Sequence, residues 1–303
     1  MVNSQQSIVN GQQSMVNSQL QRVVFFGSGD FVIPVIEKLL NHNLVLVVTN
    51  DKNGKLINFC HEKNIDCIVS DLKDTETINK ILSLNSTIAV LASFGEIIPK
   101  AILDAFPNGI INIHPSLLPK WKGPSPVQYT LLNGETQTGV TLIKLDDEID
   151  HGPILTQKVD TLSGNETAED LLSILFEIGA GMAEEAIIKL ESGETLSETP
   201  QDHNRETWSY KIEKKDGFID LSKIPTNELE IKNYKLEIAR KVRAYYPWPG
   251  VWFRTNLKDQ EKLIKLLPEN RIQVEGKNIV SYKDFINGFG EEGKEILEKL
   301  NLA

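Results

Sequence analysis

The stretch VVFFGSGDFVIPVIEKLLNHNLVLVV, residues 23–48, contains the pattern that decides the fold. Its two ends, residues 23–26 and 44–48, are apolar runs with the length of buried β-strands, whereas residues 30–41 have the apolar spacing of a helix. Parallel strands need a long crossover between them, and a helix is the usual one. We therefore expect an α/β domain that begins at this stretch.

The alternation of strand-like and helix-like segments continues to residue 191. The further strand-like runs are residues 89–92, 110–113, 139–145 and 154–159, and the helix-like segments are residues 54–64, 74–84 and 165–191. This order predicts a Rossmann-like, mostly parallel sheet with helices on both faces, in a domain at residues 21–191.

A second, smaller domain is predicted at residues 207–303. Between the two domains lies the polar stretch SGETLSETPQDHNRE, residues 192–206, which has no periodicity and is expected to be a linker. Three strand-like runs follow it, at residues 251–255, 262–267 and 271–274. They predict a β-rich C-terminal domain whose composition fits an OB-like barrel without singling it out among β folds.

Composition and charge restrict the class of protein. The 303 residues carry a net charge of −10, which excludes a chain coated throughout with basic charge for nucleic acid. Residues 1–200 have 13 Lys and Arg against 25 Asp and Glu, whereas residues 201–303 have 19 against 17. A polyanion is therefore expected to meet the C-terminal third, where basic and aromatic residues are interleaved. A solvated helix face beside packed aromatic residues explains that composition equally well.

Signals for targeting, membrane insertion and metal binding are missing from the sequence. Without a signal peptide or an apolar run that could span a bilayer, we expect a cytoplasmic protein that binds no membrane. The first 20 residues repeat a VNSQQSI-like unit without charge and are expected to be a disordered tail. Cys60 and Cys67 have neither Cys-x-x-Cys spacing nor paired histidines, so no metal site is expected.

Residues 110–119, IINIHPSLLP, form a predicted strand that ends in polar side chains. Ligands bind at the carboxyl ends of parallel strands, and alternation places Asn112 and His114 on the same face of this one. A lone histidine after a strand is more often structural, but the neighbouring amide favours catalysis. The acidic run at residues 146–150 is typical of a solvated loop, yet a carboxylate facing His114 would complete a general acid/base pair.

Residues 91–155 closely resemble the 10-formyltetrahydrofolate-dependent formyltransferases, through IINIHPSLLPKWKGPSPVQYTLLNGE and GVTLIKLDDEIDHGPIL. The resemblance implies that Asn112, His114 and Asp150 are catalytic, that 10-formyltetrahydrofolate is the cosubstrate, and that no metal is needed. It also implies that the family's Ser-Leu-Leu-Pro motif binds the folate, through Ser116, Leu117, Leu118 and Pro119.

The residues just past the strand that ends near Ala92 are expected to line the pterin pocket. A flat heterocycle is held by an apolar slot with backbone polar groups at its rim, which Phe94, Gly95 and Ile97 would provide. For Phe94 and Ile97, plain core packing is the alternative.

Two C-terminal segments resemble the branch of this family that formylates methionyl-tRNA. They are RAYYPWPG, residues 243–250, and RIQVEGKNIVSYKDFINGFG, residues 271–290. This resemblance implies that a monomer transfers a formyl group from 10-formyltetrahydrofolate to the amino group of methionyl initiator tRNA, with residues 207–303 binding the tRNA. One departure is the loop at residues 49–55, which is short and weakly basic where the tRNA enzymes carry a longer basic loop.

Two other functions compete with this interpretation. The first is the same chemistry with an amino-sugar nucleotide as the acceptor. The second is a non-catalytic folate or RNA binder. The presence of Asn112, His114 and Asp150 together argues against the second, because a pure binder has no use for all three.

Overall fold

The chain forms two β-sheets joined by a polar segment. The computed structural model describes residues 21–52, 54–225 and 227–302. The N-terminal repeat, for which the sequence predicts disorder, lies outside the described residues. In these ranges no helix is long and apolar enough to cross a membrane, and no group of three or more His, Cys, Asp and Glu side chains is arranged to hold a metal ion.

The first sheet has seven strands in the described residues, in the order β3-β2-β1-β4-β5-β6-β7. The strands are β1 Val23–Gly27, β2 Leu44–Thr49, β3 Cys67–Val69, β4 Ile88–Ala92, β5 Ile110–His114, β6 Gln137–Lys144 and β7 Ile154–Thr161. Pairs among β1 to β5 are parallel, whereas β6 pairs antiparallel with both β5 and β7. The predicted mostly parallel sheet is confirmed. The sequence did not show β3, because a three-residue edge strand has no long apolar run.

In the described residues, six α-helices cover this sheet. They are α1 Ile33–Leu39, α2 Lys55–Glu62, α3 Thr75–Ser83, α4 Lys100–Leu103, α5 Pro126–Leu132 and α6 Ala168–Glu191. Helix α6 begins with a capping box, in which the Thr167 hydroxyl and the Asp170 carboxylate each accept a backbone N–H.

The core consists of two apolar layers, one on each face of the first sheet. Phe25 of β1 lies in one layer, together with Leu175 of α6. Its neighbour Phe26 lies in the other, together with Ile81 of α3 and Ile102 of α4. Because successive strand residues point to opposite faces, both faces of β1 must be covered by helices. The prediction of helices on both faces is confirmed.

The C-terminal part consists of helix α7 Glu228–Ala244, four strands and helix α8 Tyr282–Lys299. The strands are β8 Val251–Leu257, β9 Gln260–Leu267, β10 Arg271–Val274 and β11 Ile279–Ser281, in the order β11-β10-β9-β8, and all pairs are antiparallel. A β-rich C-terminal domain is thereby confirmed. Its described strands form an open sheet with β8 and β11 at the edges. Helix α7 packs against α5, which joins the two parts of the chain.

The segment predicted to be a linker, residues 192–206, is attached to the edge of the first sheet at Thr199. Thr199 and Ile154 exchange two backbone hydrogen bonds, with N···O distances of 2.8 and 2.9 Å, which extend the edge of β7. A short 3-10 helix follows at His203–Arg205. The segment is therefore not a free tether, although it has the irregular backbone that its composition predicts.

Candidate active site

The candidate site lies where β5 ends. Asn112 and His114 are both buried, and alternation along the strand points them to the same side. Asp150 reaches them from the acidic loop between β6 and β7, with a φ of 49°. A left-handed backbone is uncommon for residues other than glycine, and aspartate is among those that tolerate it. The structure therefore brings together three residues that span 38 positions of the sequence.

The Asp150 carboxylate is the centre of this group. Its Oδ1 accepts a hydrogen bond from Asn112 Nδ2 at 3.0 Å and lies 3.5 Å from His114 Nδ1. Its Oδ2 accepts the backbone N–H of Gly123 at 2.8 Å. Both oxygens therefore face donors, which is the environment that stabilises an ionised carboxylate.

The His114 imidazole faces an acceptor at each of its two nitrogens. Nδ1 points toward Asp150, and Nε2 lies 3.0 Å from the carbonyl oxygen of Trp121. A neutral imidazole can donate only one hydrogen, whereas an imidazolium can donate two. The geometry therefore favours the protonated ring.

The pKa values of the pair follow from this geometry. Burial acts to lower the pKa of His114, but the charge of Asp150 and hydrogen bonds to Asp150 and to the Trp121 carbonyl raise it above its ordinary value. Burial acts to raise the pKa of Asp150, but the His114 charge and hydrogen bonds from His114, Gly123 and Asn112 lower it. Both shifts favour an imidazolium facing a carboxylate.

Gln201 is a further residue at this site, and the sequence analysis did not identify it. Its Nε2 donates to the backbone carbonyls of Asp150 at 2.9 Å and of Gly152 at 2.8 Å, so it holds the acidic loop in place. It belongs to the predicted linker, and a lone glutamine in a polar stretch carries no signal of such a contact.

The Ser-Leu-Leu-Pro turn is held from within the protein. Thr141 Oγ1 donates to the Ser116 carbonyl at 2.7 Å and accepts the Leu118 N–H at 3.0 Å. The Ser116 hydroxyl is buried and donates to the Lys120 carbonyl at 2.6 Å, so it is used inside the turn. Leu118 is buried as well, whereas Leu117 and Pro119 are half-buried. The latter two residues are the part of the motif that a ligand can reach.

The residues predicted to line a pterin pocket lie in a loop after β4. The Phe94 ring is buried and packs against Phe26 with the ring centroids 5.7 Å apart, so its side chain belongs to the core. Gly95 is exposed with a φ of 74°, and Ile97 is 81% exposed. Of these three residues, Gly95 and Ile97 are accessible to a ligand and the Phe94 side chain is not.

Comparisons with known proteins identify the family of the chain. The sequence profile of the formyl transferase family matches residues 21–182. A methionyl-tRNA formyltransferase of Paramagnetospirillum magneticum is 33% identical over 245 residues, which cover 77% of this chain and 77% of that protein. Another, of Thermodesulfovibrio yellowstonii, is 34% identical over 308 residues, which cover 88% of this chain and 95% of that protein.

Solved structures share the fold. An N-formyltransferase of Helicobacter canadensis, in complex with folinic acid and dTDP-3-aminofucose, has a TM-score of 0.59 at 19% identity, covering 86% of this chain and 98% of that one. Glycinamide ribonucleotide transformylase 1 of Symbiobacterium toebii has a TM-score of 0.53 at 22% identity, covering 60% and 95%. Since the family profile covers more than half of the chain and the curated relatives match most of it, the chain belongs to the formyl transferase family.

Proposed function

We propose that this protein transfers the formyl group of 10-formyltetrahydrofolate to the amino group of methionyl-tRNA. The observation that carries the proposal is the contact of Asp150 with both Asn112 and His114, in a chain whose relatives are named methionyl-tRNA formyltransferases over most of their length. The fold alone does not choose the acceptor, because structures with sugar and with purine-precursor acceptors share it.

In the proposed reaction the neutral methionyl amine attacks the formyl carbon, and the carbonyl oxygen takes up negative charge. Asn112 uses one amide hydrogen on Asp150 and has a second one to donate to that oxygen. The His114 imidazolium supplies positive charge beside it. Such preorganised donors stabilise an oxyanion because they need no reorganisation as the charge develops.

Asp150 has two roles in this proposal. It keeps His114 protonated by its own charge, and it accepts the proton that the amine loses, directly or through a water molecule. The tetrahedral intermediate then collapses, the bond between the formyl carbon and the folate nitrogen breaks, and that nitrogen leaves with the proton that Asp150 took up from the amine. Asn112, His114 and Asp150 are thus the proposed catalytic residues. Leu117, Pro119, Gly95 and Ile97 are the accessible part of the proposed folate site.

The C-terminal domain, at residues 207–303, is the proposed tRNA-binding element. Its 18 Lys and Arg against 15 Asp and Glu contrast with the acidic remainder of the chain, and polyanions bind where positive charge is concentrated. We further propose that the protein acts as a monomer in the cytoplasm, which analytical ultracentrifugation and cell fractionation would test.

The test of the function is a formyl-transfer assay with 10-formyltetrahydrofolate and two acceptors, methionyl initiator tRNA and a dTDP-linked amino sugar. We expect formyl-methionyl-tRNA and no formylated sugar. Formylation of the sugar alone would contradict methionyl-tRNA as the acceptor, but it would still support formyl transfer as the reaction. Failure with both acceptors, in a preparation that binds the folate, would leave a folate binder without this catalytic activity.

A further inference from the structure

Lys122 is a buried cation that the reaction above does not use. Its side chain is 1% exposed. Nζ donates to Glu206 Oε2 at 2.7 Å and to His203 Nδ1 at 3.2 Å, and it lies 5.6 Å from the centroid of the Trp208 ring. A charge removed from water must be compensated by such partners. A side chain so fully enclosed is not accessible to a substrate. Its role therefore depends on the protein groups that it contacts.

The two neighbours of Lys122 provide backbone partners to the catalytic pair. The Trp121 carbonyl accepts from His114 Nε2, and the Gly123 N–H donates to Asp150 Oδ2. These two contacts contribute to the raised pKa of His114 and to the lowered pKa of Asp150. The positions of both peptide groups therefore depend on how this loop, residues 119–125, is held.

The loop is held by residues 203–209, which we call the clamp. The Lys122 N–H donates to the Thr207 carbonyl at 2.9 Å, and the Lys122 carbonyl accepts the Ser209 N–H at 2.7 Å. The Trp121 N–H donates to Thr207 Oγ1 at 2.9 Å. A Cβ at Gly123 would lie 2.5 Å from the Ser209 carbonyl oxygen, so only glycine permits this approach. Beside these backbone hydrogen bonds, the ion pair of Lys122 and Glu206 connects the loop to the clamp.

We infer that Lys122 and Glu206 form a positioning pair, which holds the Trp121 carbonyl and the Gly123 amide where His114 and Asp150 require them. The inference rests on the proposed function for its kinetic consequences. The pair acts through the loop backbone and touches no reacting atom. Because the clamp connects the predicted linker to the start of the C-terminal domain, the geometry of the catalytic residues depends on a segment outside the first sheet.

The kinetic test compares Lys122→Met and Glu206→Gln with the unaltered protein at full length. Misplacing a catalytic group by about 1 Å can slow the chemical step roughly 100-fold. We expect kcat for formyl transfer to fall at least about tenfold in Lys122→Met, with both KM values within about twofold. Lys122→Arg, which keeps the charge, should restore most of kcat. An unchanged kcat, or a raised KM with kcat unchanged, would refute the inference.

Lys144→Met is the matched control. Lys144 also forms a 2.7 Å ion pair with a glutamate of the polar segment, Glu198, but that pair is exposed and lies outside the clamp. It should leave kcat unaltered. If Lys122→Met does not fold, Glu206→Gln decides the question, since the Glu206 side chain is 31% exposed and its replacement is the milder change.

The pKa of His114, measured by NMR on histidine-labelled protein, separates positioning from simple charge. His114 faces Asp150, the Trp121 carbonyl and the charge of Lys122, and that last charge acts to lower its pKa. If Lys122 acted only through its charge, Lys122→Met would raise the pKa of His114. If Lys122 positions the loop, the contacts that raise the pKa are weakened, and the variant should lower it.

This titration needs no substrate, so it distinguishes the two ways of failing. If the unaltered protein is inactive with methionyl-tRNA, the proposed function is refuted. The titration still tests whether Lys122 positions the loop. A raised pKa of His114 in Lys122→Met would refute the positioning role whatever the acceptor. His114→Gln identifies the resonance.

Discussion

The two sheets bury their side chains differently, and the difference explains which one carries the candidate chemistry. All five residues of β1 and all five of β5 are buried. In β8, buried Val251 and Phe253 alternate with less buried neighbours. A parallel sheet covered on both faces opens to a ligand only at its strand ends, whereas an antiparallel sheet presents a polar face along its length. The first sheet suits a site with a few buried reacting groups. The second sheet suits contact with a charged partner over a broad surface.

The charged residues follow the same division. His114 and Asp150 are enclosed at the end of β5, where low solvent exposure strengthens their interaction. On α7, Lys232 and Lys235 are exposed. Arg243 of the same helix is not a free surface charge, because it donates to the Gly164 carbonyl of the first domain. The buried pair therefore suits the proposed proton transfer, and the exposed lysines suit the proposed contact with tRNA phosphates.

The largest expected effect is the loss of a proposed catalytic group. His114→Ala should lower kcat by at least about 100-fold, the usual scale for a general acid or base, while the affinity for folate stays within about twofold. Single-turnover formyl transfer and calorimetric titration measure the two quantities. His61→Ala, an exposed histidine on α2, is the control and should be unaffected. Turnover by His114→Ala near that of the control would remove this residue from the mechanism.

A pH profile tests the buried pair. In the proposed reaction His114 works as the imidazolium, so kcat should fall about tenfold per unit as the pH rises above the raised pKa of His114. In Asp150→Asn, burial still acts to lower the pKa of His114, but the negative charge that opposes this effect is gone. Its pKa should then fall, and the alkaline limb should move to lower pH. An alkaline limb at the same pH in both proteins would show that Asp150 does not control His114.

The same shifts predict the pH dependence of stability. His114, whose pKa is raised on folding, stabilises the protein fully below about pH 6.5, and this contribution is lost as the pH rises through its folded pKa. Asp150, whose pKa is lowered, contributes above about pH 3.9 and loses its contribution as the pH falls through its folded pKa. Urea unfolding of the unaltered protein and of His114→Gln at several pH values should show the alkaline loss only in the former.

A smaller effect is expected from charge reversal on the C-terminal domain. Lys232→Glu with Lys235→Glu should weaken the binding of methionyl-tRNA about tenfold, and it should reduce the slope of log K against log salt by about 2, since each phosphate contact contributes about 0.9. Folate affinity should not change. Lys80→Glu, an exposed lysine of the acidic first domain, is the matched control. Equal salt slopes in the variant and the control would place the RNA surface elsewhere.

The smallest effects concern packing. Ile110 and Ile111 are neighbours on β5 and lie in opposite apolar layers, so Ile110→Val and Ile111→Val should each cost about 0.5–1.5 kcal/mol. On β9, Ile264→Val should cost a similar amount, whereas its exposed neighbour Lys265→Thr should stay within about 0.5 kcal/mol. Denaturant unfolding measures all four. A large loss from Lys265→Thr would show that the second sheet is covered on both faces.

Much of this protein could be predicted from its sequence. The alternation of apolar runs and helical periods predicts the parallel sheet, because the side-chain period depends only on local backbone geometry. The placing of Asn112 and His114 on one face follows from the same period. The short strands β3 and β11 did not stand out, since three residues at a sheet edge bury too little apolar surface to leave a pattern.

Only the tertiary structure decided how the candidate site is held together. The Gly123 amide meets Asp150 across 27 positions, and Glu206 meets Lys122 across 84. The polar stretch that contains Glu206 has the composition of a linker. It contains several carboxylates, and each of them could form an ion pair with a lysine. Which one does so depends on the path of the chain around the first sheet. Local sequence therefore determined the helices and strands, and the strand end at which the catalytic candidates lie. Long-range packing determined which backbone groups face these candidates.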